Sequence, residues 1–152
     1  MVSTTCTKLL VAPEAKRLAA LAGKRVIVLG AETALGRECA QALADAGATL
    51  ALVASTVDAD AAFSAQRLTR RLGAAMSQAI DGSNQAALRI MVRQVGKTLG
   101  GLDAVVDATG VATIRGIAEP LAHREMDRTG GGVYVVADEA GAVVRAVAGE
   151  KA

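Results

Sequence analysis

The segment of this chain most suited to chemistry is residues 30–36, which read Gly-Ala-Glu-Thr-Ala-Leu-Gly between an apolar run and a helical pattern. A glycine-bounded bend that leads from a strand into a helix leaves backbone N–H groups without partners in the first turn of the helix. The positive end of the helix dipole lies at the same place, so such a bend binds phosphate and other anions. The sequence therefore predicts an anion-binding turn at residues 30–36.

Charged side chains elsewhere are weaker candidates for a site. Four acids stand near predicted strand ends, namely Asp103, Asp107, Asp138 and Glu139. Paired carboxylates can do acid–base work or hold Mg²⁺, but we interpret these four as turn and strand-end residues. His123 is the only histidine, and no neighbouring histidine or cysteine completes a set of metal ligands around it. The sequence therefore predicts a surface histidine and no metal site.

One predicted helix carries a row of positive charge. Arg89, Arg93 and Lys97 recur every four residues with no acid among them, which places them on the same side of the helix. We interpret this row as a solvated helix face, and contact with an acidic partner subunit is the alternative.

Apolar runs alternate with helical patterns along the chain, which is typical of βαβ units and a parallel sheet. The predicted strands are residues 26–30, 49–54, 75–80, 104–107 and 133–137. The predicted helices are residues 35–46, a segment capped by Asp58 or Thr56 that runs to about Leu72, a segment capped by Ser83 that runs to about Leu99, and a segment from about residue 116 to residue 128. After the fifth strand the pattern allows either a hairpin into an antiparallel strand at residues 143–147 or a short terminal helix.

These elements predict an α/β fold, a three-layer Rossmann-like domain whose parallel sheet of about five strands is truncated after the fifth strand. We place this domain at residues 23–152 and an N-terminal helical extension at residues 1–22. A length of 152 residues suits one domain with its own core. The strand that precedes the anion-binding turn is the most strongly patterned of the five.

Composition excludes several classes of protein. Aromatic residues are limited to Phe63 and Tyr134, which argues against the base stacking used in nucleic-acid binding, and the net charge is only +2. Cys6 and Cys39 are far apart, so neither a disulfide framework nor a zinc site is indicated. No apolar run is long enough for a membrane span. We therefore expect a cytoplasmic protein that binds no nucleic acid and has no membrane span.

Several motifs together resemble the short-chain dehydrogenase/reductase family. The turn at residues 30–36 is similar to that family's T-G-x-x-x-G-x-G motif, and residues 101–110 are similar to its fourth strand, which ends in N-N-A-G. Residues 130–141 are similar to the G-G-x-I-V-x-x-S-S-x-x-G run of its fifth strand. The resemblance covers roughly residues 24–141 and implies an oxidoreductase that uses NAD or NADP.

The resemblance also implies a set of cofactor-binding positions: Gly30, Glu32, Thr33, Ala34, Leu35, Gly36, Ser55, Asp81 and Gly110. Two positions depart from the family pattern. Ala34 replaces the middle glycine of the turn, and Ser55 with Thr56 stands where the family carries an acid for the ribose or an arginine for a 2′-phosphate. Arg37 is an alternative contact for a 2′-phosphate, although we interpret it as a solvated helix residue. We therefore expect NAD or NADP binding to be weak or absent.

The catalytic residues of the family have no counterparts here. Family members use a tyrosine and a lysine four residues later, aided by a serine on the fifth strand. The only tyrosine, Tyr134, is followed four residues on by Asp138, and Ala137 or Asp138 takes the serine position. The sequence thus predicts no catalytic residue.

This pattern favours a non-catalytic subunit with a binding or structural role, in which a protein partner or a second copy covers the edge of the truncated sheet. The alternative is an NAD(P)-dependent oxidoreductase, either minimal or split between two chains.

Overall fold

A parallel sheet forms the middle layer of the protein, whose computed structural model describes residues 20–149. Its five strands are hydrogen-bonded in the order β3-β2-β1-β4-β5, and every neighbouring pair runs parallel. The strands are β1 (Arg25–Leu29), β2 (Thr49–Ala54), β3 (Met76–Ala79), β4 (Ala104–Asp107) and β5 (Val133–Val136). The predicted five-stranded parallel sheet is confirmed.

Helices cover both faces of this sheet. They are α1 (Ala34–Asp45), α2 (Ala59–Leu72), α3 (Gln85–Leu99), α4 (Ala112–Asp127) and α5 (Ala140–Val147). The first and last of these pack against each other on one face, and α3 packs against α4 on the other. The three-layer Rossmann-like architecture expected from the sequence is confirmed.

The central strand explains how the two layers of core arise. Successive side chains of β1 point to opposite faces, so Val26 and Val28 pack under α1 whereas Ile27 and Leu29 pack under α3 and α4. All four are fully buried. A strand that is covered on both faces needs the continuous apolar run that the sequence shows here.

Helix α5 resolves the ambiguity after the fifth strand. The segment is a helix and not an antiparallel strand, and its apolar face buries Val143 and Val147 in the cluster under α1. Strand alternation would have placed both on one face as well, so their spacing alone did not distinguish the two possibilities.

Several predicted boundaries were wrong by a few residues. Helix α4 begins at Ala112 and not at residue 116, because Gly110 has a left-handed backbone (φ 69°) that ends the preceding loop early. The cap of α3 is Asn84, whose side chain accepts from the N–H of Ala87 at 3.1 Å, and not Ser83. The other shifts, at the ends of β1, β3, β5 and α1, are one residue each.

The predicted extension at residues 1–22 lies almost wholly outside the described residues, so it stays a prediction. Within residues 20–149, no helix combines the length and the apolar character needed to cross a membrane.

Candidate functional site

The turn between β1 and α1 depends on two glycines. Gly30 has φ 86°, and a Cβ there would lie 2.9 Å from the backbone carbon of Ala108 at the end of β4. A Cβ on Gly36 would overlap the carbonyl oxygen of Gly30. Both positions therefore need glycine because backbone packs directly against them.

Thr33 holds the turn in place from inside. It is the N-cap of α1, and its hydroxyl oxygen accepts from the N–H of Gly36 at 2.8 Å. The same hydroxyl donates to the carbonyl oxygen of Gly30 at 2.8 Å, with the carbonyl oxygen of Ala108 3.1 Å away. The Thr33 side chain is thus used within the protein, and it fastens the turn to the end of β4.

The turn also presents backbone donors. Among the residues that the structure describes, the N–H groups of Glu32, Ala34 and Leu35 have no acceptor. Ala34, at the position of the middle glycine, is exposed and begins α1 without a left-handed backbone. Free N–H groups at the positive end of a helix fit the pyrophosphate of a dinucleotide, so the local backbone suits such a group despite the alanine.

Glu32 reaches from this turn to the end of the neighbouring strand. Its Oε1 accepts from the N–H of Ser55 at 3.0 Å, and its Oε2 accepts from the Ser55 hydroxyl at 2.6 Å. Both side chains are half-buried. The sequence has no acid directly after β2, but the tertiary structure places the Glu32 carboxylate there.

The sequence carried a signal for this contact that our prediction missed. Neighbouring strands lie about 4.8 Å apart, so a long side chain in the turn after β1 can reach the residue after β2. The two strands were predicted, and their pairing puts Glu32 and Ser55 at the same edge of the sheet.

Asp81 lies at the same edge, after β3. Its Oδ1 accepts from the N–H and the hydroxyl of Ser83 at 3.0 Å and 2.6 Å, and the hydroxyl bond holds the pKa of Asp81 below its usual range. The next residue, Gly82, donates its N–H to the carbonyl oxygen of Ser55 at 3.0 Å. The end of β3 is therefore tied to the end of β2, beside the carboxylate of Glu32.

The other end of the candidate site follows β4. Gly110 lines a cavity of about 190 Å³ together with Asp107, Arg115 and Val136. The structure thus brings the predicted cofactor-binding positions to the end of the sheet at which the parallel strands finish. Residues 30–36 lie in the middle, Ser55 and Asp81 on one side and Gly110 on the other.

A buried carboxylate joins β4 to β5 near this cavity. Asp107 is only 2% exposed, and its Oδ1 accepts from the N–H and the hydroxyl of Thr109 at 2.9 Å and 2.7 Å. Its Oδ2 accepts from the hydroxyl of Tyr134 at 2.7 Å. Burial and this bond to a carboxylate raise the pKa of Tyr134 far above its usual value, so the phenol keeps its proton. Tyr134 is therefore unsuited to the proton relay of a catalytic tyrosine.

The four acids near strand ends do not all lie together. Asp103 precedes β4 and Asp107 ends it, so the two acids lie at opposite ends of the same strand. Asp103 pairs with Arg25, whose Nε donates to its Oδ2 at 2.9 Å. That hydrogen bond lowers the pKa of Asp103. Across residues 20–149, no three histidine, cysteine or acidic side chains stand close enough together to hold a metal.

The remaining charged candidates lie on helix surfaces. His123 is about half exposed, with its Nε2 4.0 Å from Glu119 on the same helix. In the positive row of Arg89, Arg93 and Lys97 on α3, Arg93 forms an ion pair at 3.5 Å with Glu125 of the neighbouring helix α4. Gly96 leaves room for Glu125, because a Cβ there would lie 2.7 Å from its carboxylate.

Comparison with known proteins agrees with this geometry. The short chain dehydrogenase family model matches residues 24–139, which is more than half of the chain. A fatty acyl-CoA reductase from Mycobacterium tuberculosis is 32% identical over 110 residues, which make up 72% of this chain and 37% of the relative. The chain thus spans well under half the length of that relative.

Solved structures show the same fold. A short-chain type dehydrogenase/reductase from Mycobacterium marinum superposes with a TM-score of 0.65 and 26% identity, over 75% of this chain and 55% of that one. An enoyl-(acyl-carrier-protein) reductase from Anaplasma phagocytophilum, solved with NAD, gives a TM-score of 0.64 at 20% identity, over 80% of this chain and 55% of that one. Because the family model matches more than half of the chain, the chain belongs to the short-chain dehydrogenase family.

Proposed function

We propose that this chain binds the adenosine diphosphate part of NAD or NADP at residues 30–36, as the cofactor-binding region of an oxidoreductase. The observation that carries the proposal is the set of free N–H groups on Glu32, Ala34 and Leu35, presented by a turn that two glycines and Thr33 hold rigidly. Family membership and the name of the Mycobacterium tuberculosis relative, a reductase, support the same class of function.

In this proposal the backbone of the turn binds the pyrophosphate, Ser55 and Asp81 flank the adenosine side, and Gly110 lies toward the reactive end. The bound dinucleotide supplies hydride transfer. Tyr134 does not supply the proton for that transfer, because its hydroxyl is committed to Asp107. A proton donor would therefore be a residue other than Tyr134.

Binding is testable with the full chain by NADH and NADPH fluorescence titration and by thermal shift. A decisive variant is Ala34→Pro, because proline fits the first position of a helix and removes one of the free N–H donors. Thr33 already has the extended backbone (ψ 159°) that a following proline requires. Loss of one hydrogen bond to a charged phosphate predicts about tenfold weaker binding with an unchanged melting temperature.

The matched control is Ala140→Pro, at the first position of α5, a helix that follows β5 and does not begin at the glycine turn. We expect its dinucleotide affinity to equal that of the wild type. Absence of binding by the wild-type chain at millimolar NADH and NADPH would remove the proposal.

The second candidate is a non-catalytic subunit that binds a partner through the outermost strand of its sheet, β5. Within the described residues β5 has a strand neighbour only on the side of β4, and Val133 and Val136 are 37% and 46% exposed. A partner chain or a second copy that pairs with β5 would cover them. Light scattering after size exclusion tests this. Association that Val136→Lys abolishes would support it, whereas a monodisperse monomer would count against it. A cytoplasmic location stays a prediction.

A further inference from the structure

We propose that Glu32 makes the site selective for NAD over NADP by placing its carboxylate where the adenosine ribose of the dinucleotide would lie. This inference rests on the proposed function and adds which of the two dinucleotides the turn accepts. It assigns to a residue of the glycine turn the role that a residue directly after β2 would otherwise have.

The position of the carboxylate carries the argument. In dinucleotide-binding sheets the group at the end of the second strand meets the ribose 2′ position, and an acid there accepts from the 2′-hydroxyl of NAD. Ser55 is the first residue after β2, and both carboxylate oxygens of Glu32 are bonded to it, at 3.0 Å and 2.6 Å. The acid is therefore at that strand end although it comes from a different segment of the chain.

The carboxylate also keeps capacity to bind a ligand. A carboxylate has about four acceptor sites, and Ser55 fills two of those on Glu32. Glu32 is half-buried and not enclosed, so the other sites remain open to a sugar hydroxyl. The Ser55 hydroxyl, which donates to Glu32, fixes the carboxylate in this place and makes Ser55 a positioning residue.

The same charge disfavours the 2′-phosphate of NADP. A phosphate dianion within about 4 Å of a carboxylate meets like charge in a partly desolvated site, which is enough to reduce affinity by about tenfold or more. Arg37 is a cation near the turn that could offset this. Its Nη1 donates to the backbone oxygen of Glu32 at 2.8 Å, and its side chain lines the groove between α1 and α2 with Arg67 and Arg71. Arg37 thus contacts both the glycine turn and the groove, so it is a second candidate for contact with a 2′-phosphate.

The test measures dissociation constants of the full chain for NADH and NADPH, and for ADP and 2′-phosphoadenosine 5′-diphosphate, which carry the same difference at the ribose without the nicotinamide. We expect the wild type to bind NADH and ADP about tenfold more tightly than their 2′-phosphorylated counterparts. Glu32→Gln should reduce that ratio to about one while keeping the side-chain shape. Ser55→Ala should reduce it partway.

Glu38→Gln is the matched control, because it removes one negative charge from an exposed position on α1, one helical turn beyond the glycine bend. It should leave the ratio unchanged. Arg37→Gln should weaken NADPH further and so raise the ratio. Circular dichroism and thermal unfolding establish that each variant is folded.

The outcomes separate the two proposals. Binding of both dinucleotides with equal affinity, or a ratio that Glu32→Gln leaves unchanged, overturns the role of Glu32 and leaves dinucleotide binding intact. Tighter binding of NADPH than of NADH in the wild type overturns it as well and assigns the 2′ position to Arg37. Failure of all four ligands to bind at millimolar concentration overturns the proposed function and this inference together.

Discussion

Two carboxylates at the same edge of the sheet are held in different ways. Glu32 is half-buried and accepts two hydrogen bonds, both from Ser55 on the neighbouring strand end. Asp107 is 2% exposed and accepts three, from Thr109 and from Tyr134 on the next strand. Both acids join the end of one strand to another, but only Glu32 remains in reach of solvent.

This difference teaches how burial separates a structural acid from one that can bind a ligand. A buried charge is tolerated only when its hydrogen-bonding capacity is used inside the protein, so Asp107 serves to hold β4, the following loop and β5 together. A half-exposed carboxylate can exchange water for a ligand hydroxyl at little cost. Glu32 therefore suits binding, whereas Asp107 suits stability.

The largest expected effect comes from the backbone that carries Glu32. Gly36→Ala would drive a Cβ into the carbonyl oxygen of Gly30, and since backbone cannot yield as a side chain does, we expect a loss of about 3 kcal/mol in unfolding free energy. Urea denaturation followed by circular dichroism measures this.

Gly116→Ala is the matched control, because Gly116 is an exposed position inside α4 where a Cβ would meet nothing within 4 Å. The alanine there should stabilise the protein by roughly 0.5–1 kcal/mol. Equal stability of the two variants would show that the turn is not as tightly packed as its geometry indicates.

An isosteric pair compares the two carboxylates directly. Asp107→Asn replaces a charged acceptor of three bonds by an amide whose NH₂ faces other donors, so we expect a loss of about 2 kcal/mol. Glu32→Gln makes the same chemical change at a half-exposed site and should cost less than about 1 kcal/mol.

Urea denaturation of both variants under one buffer gives the two values. A larger loss for Glu32→Gln than for Asp107→Asn would reverse the roles that we assign to these acids.

The smallest expected effect is on the titration of Tyr134, the hydrogen-bond partner of Asp107, at high pH. The chain contains one tyrosine, so absorbance at 295 nm reports Tyr134 alone. Burial and the bond to Asp107 raise the pKa of Tyr134 in the folded state, whereas the unfolded chain should titrate near the ordinary tyrosine pKa of about 10. The resulting stability is fully present below about pH 10 and is lost as the pH rises from there toward the folded pKa.

We therefore expect the folded protein to show little phenolate absorbance at pH 10.5 and the urea-unfolded chain to show most of its signal at about that pH. In Asp107→Asn the phenolate should appear at lower pH, because the negative neighbour is gone. Identical titrations of folded and unfolded wild type would contradict the buried Asp107–Tyr134 contact.

Much of the fold was readable from local sequence. The buried run of β1 and the alternation of strand and helix patterns predicted a parallel sheet, which was confirmed. The glycines at both ends of the turn predicted an anion-binding bend, and its binding of an anion stays a prediction. The helical character of α5 and the start of α4 were less readable, because their residues suit more than one local structure. Packing against α1 decides the first, and the loop after β4 decides the second.

The sequence by itself determined the elements, their order and the glycine bend, because side-chain period and glycine chemistry act between residues close in the chain. Only the tertiary structure decided which polar groups meet, since Glu32 bonds a residue 23 positions away and Asp107 bonds one 27 positions away. Those contacts depend on which strands lie side by side, and strand order follows from the packing of the whole sheet and not from any local pattern.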